Sequence, residues 1–146
     1  MVFSLTDITR EGQAVIDVFN EVPERARLEL LLEYADSLPD LPSKYKDHPN
    51  LLERVEECQS PVYLFVEVEG NLVSVFLTAP SEAPTTRGFA AILKSALDQQ
   101  TIDSVLSFDD SFVASLGLTT LVSPLRIRGM HGMLSRIKRQ VREKSS

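Results

Sequence analysis

The chain has 146 residues, of which 43% are hydrophobic and 25% charged, and its formal net charge at pH 7 is −6. This length and composition predict one globular domain, residues 1–146, around one hydrophobic core. Residues 1–20 lack the charged start, apolar run and cleavage site of a secretion signal, and no stretch approaches the roughly 20 apolar residues that cross a bilayer, so we expect a cytoplasmic protein with no membrane contact.

Four segments carry apolar residues at helical spacing. In chain order these residues are Val15, Val18, Phe19 and Val22; Leu28, Leu31, Leu32 and Ala35; Phe89, Ile92, Leu93 and Ala96; and Met130, Met133, Leu134, Ile137 and Val141. Pro23 stands at the opening of the second helix, and the Leu-Pro-Asp-Leu-Pro segment at 38–42 must end it. Ser123 is predicted to cap the last helix, with Pro124 in its first position.

Two strand-like runs, 62–68 and 72–77, lie between the second and third helices and are rich in Val, Phe, Tyr and Leu. The Gly70-Asn71 pair between them favours a tight hairpin turn. Because both runs are apolar at nearly every position, we expect helices to cover much of both faces, with a short third strand near 54–56. The sequence therefore predicts an α+β fold, in which a small antiparallel three-stranded sheet packs against N- and C-terminal helices.

Charge is distributed unevenly along the chain. Residues 124–146 hold seven of the fifteen basic residues and one acid, Glu143, so that segment is +6 and the remainder −12. No aromatic residues are interleaved with the basic ones, and the acidic body would repel phosphates, so nucleic-acid binding is not expected. A solvated face on a C-terminal helix explains the basic residues, because the helix dipole favours cations there.

Cys58 is the single cysteine of the chain. It cannot form an internal disulfide or a multi-cysteine metal cage, so it is a single nucleophile, a sulfur carrier or a small buried hydrophobe. Gln59, Ser60 and Pro61 follow it as a polar break, which predicts a loop, where functional residues concentrate. The adjacent carboxylate of Glu57 favours the thiol over the thiolate.

A cysteine hydrolase is one enzyme class that this residue could serve. His48 and His131 are the two histidines, and either could act as the base for Cys58, with an acid such as Asp47 to orient it. Neither histidine belongs to a zinc-ligand spacing, so the sequence predicts no metal and no resident cofactor.

Three groups of residues form a pattern that spans nearly the whole chain. They are Cys58-Gln59-Ser60-Pro61-Val62-Tyr63; Ser81-Glu82-Ala83 followed by Arg87-Gly88-Phe89; and Leu116-Gly117-Leu118, Leu121, Ser123-Pro124-Leu125-Arg126, Gly129-Met130 and Met133. Together with the segment at 38–42, they resemble the SufE family of sulfur acceptors. The family usually has glycine at the position of Glu57 and aspartate at that of Glu82, and Pro84 is unusual at the start of a helix.

The resemblance implies that Cys58 accepts a sulfane sulfur from the persulfide of a SufS- or CsdA-like cysteine desulfurase. That partner carries the pyridoxal phosphate, and the sulfur passes on to an iron–sulfur scaffold complex. The protein would then stimulate its partner rather than act as a stand-alone enzyme, with its thiol sheltered in an apolar pocket until the partner draws the loop out. Thiol–persulfide exchange needs a thiolate and a loop that can extend, but no catalytic triad.

Arg126 falls in the first turn of the last predicted helix, where a cation opposes the dipole. Two functional interpretations are open: Arg126 stabilises the thiolate or persulfide of Cys58, or it pairs with an acid such as Glu82 to position the loop. An ordinary structural ion pair is the alternative.

Besides the sulfur acceptor, two classes stay open, a cysteine hydrolase and a non-catalytic interaction module. The acidic body could steer a basic partner or simply keep the protein in solution. The sequence leaves open which desulfurase and which sulfur recipient are used, and whether the chain forms a homodimer.

Overall fold

A computed structural model of the chain describes residues 8–145. In that range the helices are α1 (Arg10–Glu21), α2 (Arg27–Ser37), α3 (Ser43–Lys46), α4 (Pro84–Leu97), α5 (Ile102–Leu106), α6 (Phe112–Ser115) and α7 (Pro124–Lys144), with single 3-10 turns at Glu24–Ala26 and Pro49–Leu51. Strands β1 (Glu53–Arg54), β2 (Tyr63–Glu69), β3 (Leu72–Thr78) and β4 (Gln100–Thr101) form one antiparallel sheet in the order β1-β2-β3-β4. Within 8–145, no helix is long and apolar enough to span a membrane.

The four predicted helices are α1, α2, α4 and α7, and the α+β class is confirmed. The Ser123 hydroxyl accepts a hydrogen bond from the Arg126 N–H at 3.3 Å, and Pro124 opens α7 as predicted. The predicted domain, 1–146, includes residues 1–7 and 146, which lie outside the described residues.

Within residues 8–145 the sheet has four strands instead of the three predicted. The third predicted strand is β1, which begins one residue earlier than expected, at Glu53. The additional strand, β4, pairs with the start of β3 and follows Gln99, whose φ of 63° reverses the chain after α4. A strand of two residues is too short to show alternation of apolar and polar residues, so the sequence pattern does not predict it.

One face of the hairpin carries the hydrophobic core. The residues of that face that are no more than 1% exposed are Leu64, Val66, Val73, Val75 and Leu77. Helices α4 and α7 pack on this face, and α1 and α2 pack on α4. Val18, Leu28 and Leu32 were expected on buried helix faces but are 39%, 40% and 42% exposed, because α1 and α2 each bury only a narrow stripe.

In the part of the chain that the structure describes, no long helix covers the opposite face of the hairpin, contrary to the expectation. Phe65 and Phe76 are cross-strand partners there, and Tyr45 of α3 packs on both rings at centroid distances of 4.8 and 5.1 Å. The ammonium groups of Lys94 and Lys144 lie 5.2 and 3.6 Å from the Phe76 and Phe65 ring centroids. Aromatic packing and lysine side chains therefore replace a second helical layer.

Helix side chains bond to one residue on each open edge of the hairpin. On α7, the Gln140 Oε1 accepts from the Val66 N–H at 2.8 Å, and the Lys144 Nζ donates to the Val66 carbonyl at 2.5 Å. On α4, the Lys94 Nζ donates to the Val75 carbonyl at 2.5 Å, and the Asp98 Oδ1 accepts from the Val75 N–H at 2.7 Å. Because Val66 and Val75 are cross-strand partners, the two helices cover opposite edges at the same level of the sheet.

Arg87 of α4 binds two other segments of the chain through three backbone carbonyls. Its guanidinium donates to the carbonyls of Ala35, Leu38 and Ala79 at 3.0, 3.3 and 2.6 Å. These bonds fix the end of α2 and the segment between β3 and α4. Pro84 takes the first position of α4, where no intrahelical N–H bond is needed, so it suits a helix start.

Candidate functional site

The loop of residues 56–61, here called the Cys58 loop, connects β1 to β2. Its base is closed by a hydrogen bond from the Val55 N–H to the Val62 carbonyl at 2.9 Å. The Cys58 N–H donates to the Val55 carbonyl at 3.1 Å, and the residue is 8% exposed. Cys58 therefore lies on a loop, as its sequence context predicts, but the thiol is turned inward.

Two glycines of α7 allow the Cys58 loop to lie against the helix. A Cβ atom at Gly129 would lie 2.8 Å from the Cys58 Sγ, and one at Gly132 would lie 2.6 Å from the Glu57 Oε1. Residues three apart share a helix face, so the two glycines form one shallow surface. Any larger side chain at either position would push the loop away.

A cavity of about 40 Å³ lies beside the thiol. Its lining residues are Cys58, Gln59, Ser60, Thr86, Leu125, Arg126 and Gly129. More than half of them are polar or charged, so this is not the apolar pocket that the resemblance implied. The reason is that the Cys58 loop contributes two polar side chains and the first turn of α7 contributes Arg126.

Burial raises the pKa of the Cys58 thiol to about 11, and the carboxylate of Glu57 adds to the rise. The guanidinium groups of Arg136 and Arg54 favour the thiolate but do not cancel the effect of burial. At neutral pH the thiol is therefore protonated and weakly nucleophilic while the loop is closed.

Arg136 of α7 holds the carboxylate of Glu57. Its Nε and Nη2 donate to the two carboxylate oxygens at 2.9 and 3.3 Å, while its Nη1 donates to Glu53 at 2.6 Å. Arg139 and Gln140 also donate to the Glu53 carboxylate. The hydrogen bond from Arg136 holds the pKa of Glu57 below its usual range, so this group is ionised at neutral pH.

Of the two predicted companions of Cys58, the structure brings Arg126 to the cavity and not Glu82. Arg126 is exposed at the start of α7, and Glu82 is exposed just before α4. No ion pair among the described residues joins them. Arg126 takes part in none of the ion pairs of residues 8–145, and it lines the cavity, so its charge can face a bound group beside the thiol.

The two histidines do not line the Cys58 cavity. His48 is exposed before the 3-10 turn at Pro49–Leu51, and His131 is exposed on α7, where it lines a separate cavity with Asp110 and Lys138. Neither histidine is therefore placed to act on Cys58 as the base of a cysteine hydrolase. Among residues 8–145, no three His, Cys, Asp or Glu side chains are grouped to hold a metal ion.

Four residues contribute to the site although the sequence predicted no role for them. They are Thr86, which lines the cavity, Gly132, which faces Glu57, and the ion pair of Arg136 with Glu53. A partial signal was present in α7, where Gly129, Gly132 and Arg136 follow one another at helical spacing. That spacing predicts a shared face, but not what lies against it.

A family model for SufE, described as an Fe-S metabolism associated domain, matches residues 13–141. The chain belongs to the SufE family. Membership gives it a role in Fe–S metabolism as a sulfur acceptor, and it confirms the resemblance drawn from the three residue groups.

Relatives of the family cover most of the chain. An uncharacterized SufE-like protein of Mycobacterium tuberculosis is 48% identical over 130 residues, which are 88% of this chain and 90% of that protein. The cysteine desulfuration protein SufE of Plasmodium falciparum is 24% identical over 138 residues, or 90% of this chain and 54% of that protein. The solution structure of a hypothetical protein from Thermus thermophilus has a TM-score of 0.81 and 34% identity, and the match covers 94% of this chain and 98% of that one.

Proposed function

We propose that Cys58 accepts a sulfane sulfur from the persulfide of a pyridoxal-phosphate-dependent cysteine desulfurase and passes it to an iron–sulfur scaffold, thereby speeding desulfurase turnover. The observation that carries this proposal is the position of the single cysteine, which lies on a loop beside its own cavity at the start of α7. The name of the Plasmodium relative, a cysteine desulfuration protein, supports the same chemistry. A cytoplasmic setting suits the exchange, because thiols stay reduced there.

The transfer step conserves atoms and electrons. The Cys58 thiolate attacks the outer sulfur of the donor persulfide, a new S–S bond forms at Cys58, and the donor's S–S bond breaks. The donor cysteine leaves as a thiolate, and the proton lost by Cys58 balances that charge. The transferred sulfur keeps its oxidation state, so the step needs no external oxidant or reductant.

The cavity beside Cys58 suits a product with one more sulfur atom than the thiol. Its volume of about 40 Å³ exceeds the roughly 10–15 Å³ that a water molecule requires. Arg126 lines the same space and offers a positive charge to a persulfide anion. The cavity can therefore shelter the product until the scaffold receives it.

The test is the intact mass of the protein after incubation with a cysteine desulfurase, pyridoxal phosphate and cysteine. We expect wild type to gain the mass of one or more sulfur atoms and to accelerate alanine release. The Cys58→Ser variant, which keeps the size of the side chain, should do neither. No adduct on wild type, with a cognate desulfurase that is itself active, would refute the proposal.

A further inference from the structure

Neither Glu57 nor Arg136 exchanges sulfur or a proton in the transfer step. Sulfur transfer needs Cys58 and a donor persulfide, yet α7 leaves room for Glu57 at Gly132 and places a guanidinium on both of its carboxylate oxygens. Both features act on the residue that precedes Cys58. They therefore anchor the Cys58 loop at the residue adjacent to the thiol, and not at the base of the loop.

We propose, on the basis of the function proposed above, that Arg136 is a positioning residue that latches the Cys58 loop shut through Glu57. While the latch is closed, Cys58 stays in its cavity against Gly129. Release of Glu57 from Arg136 frees the loop to present the thiol to the desulfurase, and renewed binding returns the loop to α7.

The ion-pair network lowers the energetic cost of this release. Arg136 keeps Glu53 as a partner at 2.6 Å when Glu57 departs, so loop opening does not strand an unpaired guanidinium against the helix. The side chains of Arg136 and Glu57 are 22% and 32% exposed, which gives a pair of moderate strength. Removing it is expected to raise the fraction of open loop about threefold to tenfold.

The first experiment measures the alkylation rate of Cys58 by iodoacetamide in the folded protein, with no desulfurase present. The decisive variant is Arg136→Gln, because two explanations predict opposite results. Arg136 favours the thiolate of Cys58, so its loss should slow labelling if electrostatics alone mattered. The latch predicts labelling about threefold to tenfold faster. An unchanged or slower rate in the folded variant would overturn the proposal.

Arg139→Gln is the matched control for this variant. Arg139 lies on the same helix and binds Glu53 and Glu143, but no hydrogen bond or ion pair within residues 8–145 joins it to Glu57. We expect Cys58 in this variant to react at the wild-type rate. If Arg139→Gln accelerated labelling as much as Arg136→Gln, general loosening of α7 would explain both, and the latch would be rejected.

A second route to the open loop keeps Arg136 intact. The atoms nearest to a Cβ at position 132 all belong to Glu57, so Gly132→Ala should displace that side chain. We expect faster labelling and faster hydrogen exchange of the Cys58 amide, which is bonded to the Val55 carbonyl in the closed loop. In a Glu57→Gly background the same substitution should change neither rate. Equal effects in both backgrounds would contradict the latch.

Sulfur loading of the same variants separates the two proposals. Labelling and amide exchange report on the loop without any sulfur donor, so they decide the latch even if Cys58 never accepts sulfur. If wild type and Arg136→Gln both accept sulfur but label at equal rates, the proposed function stands and the latch fails.

Discussion

Gly129 and Cys58 are matched across the contact between α7 and the Cys58 loop, because a Cβ atom at position 129 would lie 2.8 Å from the cysteine Sγ. The sulfur thus occupies the space that the side chain of any residue other than glycine would fill at position 129. The burial of Cys58 and the high pKa of its thiol both follow from this close approach. The pairing of a glycine with a thiol accordingly sets how accessible the sulfur is in the free protein.

Gly129→Ala should destabilise the protein and expose Cys58. Crowding of this kind costs about 1–3 kcal/mol in the free energy of unfolding, which urea denaturation would measure. In a Cys58→Ala background the nearest remaining loop atoms are at 3.8 and 3.9 Å, an ordinary contact distance. There the substitution should stabilise by up to about 1 kcal/mol, because alanine is the better helix former. An effect of the same sign in both backgrounds would contradict the match between Gly129 and Cys58.

Stability should fall in alkali because of Cys58. The thiol has a pKa of about 11 in the folded protein and an ordinary value of 9.0 when exposed, so above pH 9 the unfolded chain loses a proton that the folded chain keeps. The contribution is complete below pH 9 and is lost as the pH rises through 11, at a cost of up to about 2–3 kcal/mol. The measurement is the difference in unfolding free energy between wild type and Cys58→Ser from pH 8 to 11. A difference that stays constant over that range would refute the shift.

Gln140→Leu should destabilise the protein through the edge of β2. The substitution preserves much of the side-chain volume but leaves the Val66 N–H without its acceptor, which costs about 1–3 kcal/mol. Arg142→Gln on the exposed side of α7 is the control and should change stability by less than about 0.5 kcal/mol. Equal effects of the two variants in urea denaturation would show that the edge bond is unimportant.

Arg87→Lys should be poorly tolerated although it keeps the charge. A lysine ammonium cannot reproduce the planar geometry that reaches the carbonyls of Ala35, Leu38 and Ala79, and we expect a loss of about 2–4 kcal/mol. Arg25→Lys, at an exposed arginine, should be neutral within about 0.5 kcal/mol. Thermal unfolding of both variants tests this, and a neutral Arg87→Lys would mean that charge alone is sufficient.

Arg126→Ala separates function from structure at the cavity. Arg126 is exposed and lies in the first turn of α7, where its charge opposes the helix dipole, so its removal should change the unfolding free energy by less than about 0.5 kcal/mol. Sulfur loading of Cys58 should fall about tenfold, as expected for loss of a charge-assisted contact to the persulfide. If the unfolding free energy and sulfur loading both fell clearly, Arg126 would instead have a structural role.

Much of the fold follows from local sequence. Apolar residues at helical spacing located α1, α2, α4 and α7, and the turn at Gly70-Asn71 located the hairpin. Ser123 and Pro124 marked the start of α7 because capping depends on neighbours in the chain. The polar residues after Cys58 placed it on a loop for the same reason.

The state of Cys58 was decided only by tertiary structure. From the sequence, Glu57 was simply a negative charge beside the thiol, but in the fold Arg136 holds it and Gly132 makes room for it. Likewise, the aromatic outer face of the hairpin is covered by Tyr45 of a single-turn helix rather than by a second layer. Periodicity reports which face of an element is apolar, but not which distant residue meets it. Local sequence therefore determined the helices, the hairpin and the family pattern. How the thiol is held was determined by the approach of α7 to the Cys58 loop, because these two segments are far apart in the sequence.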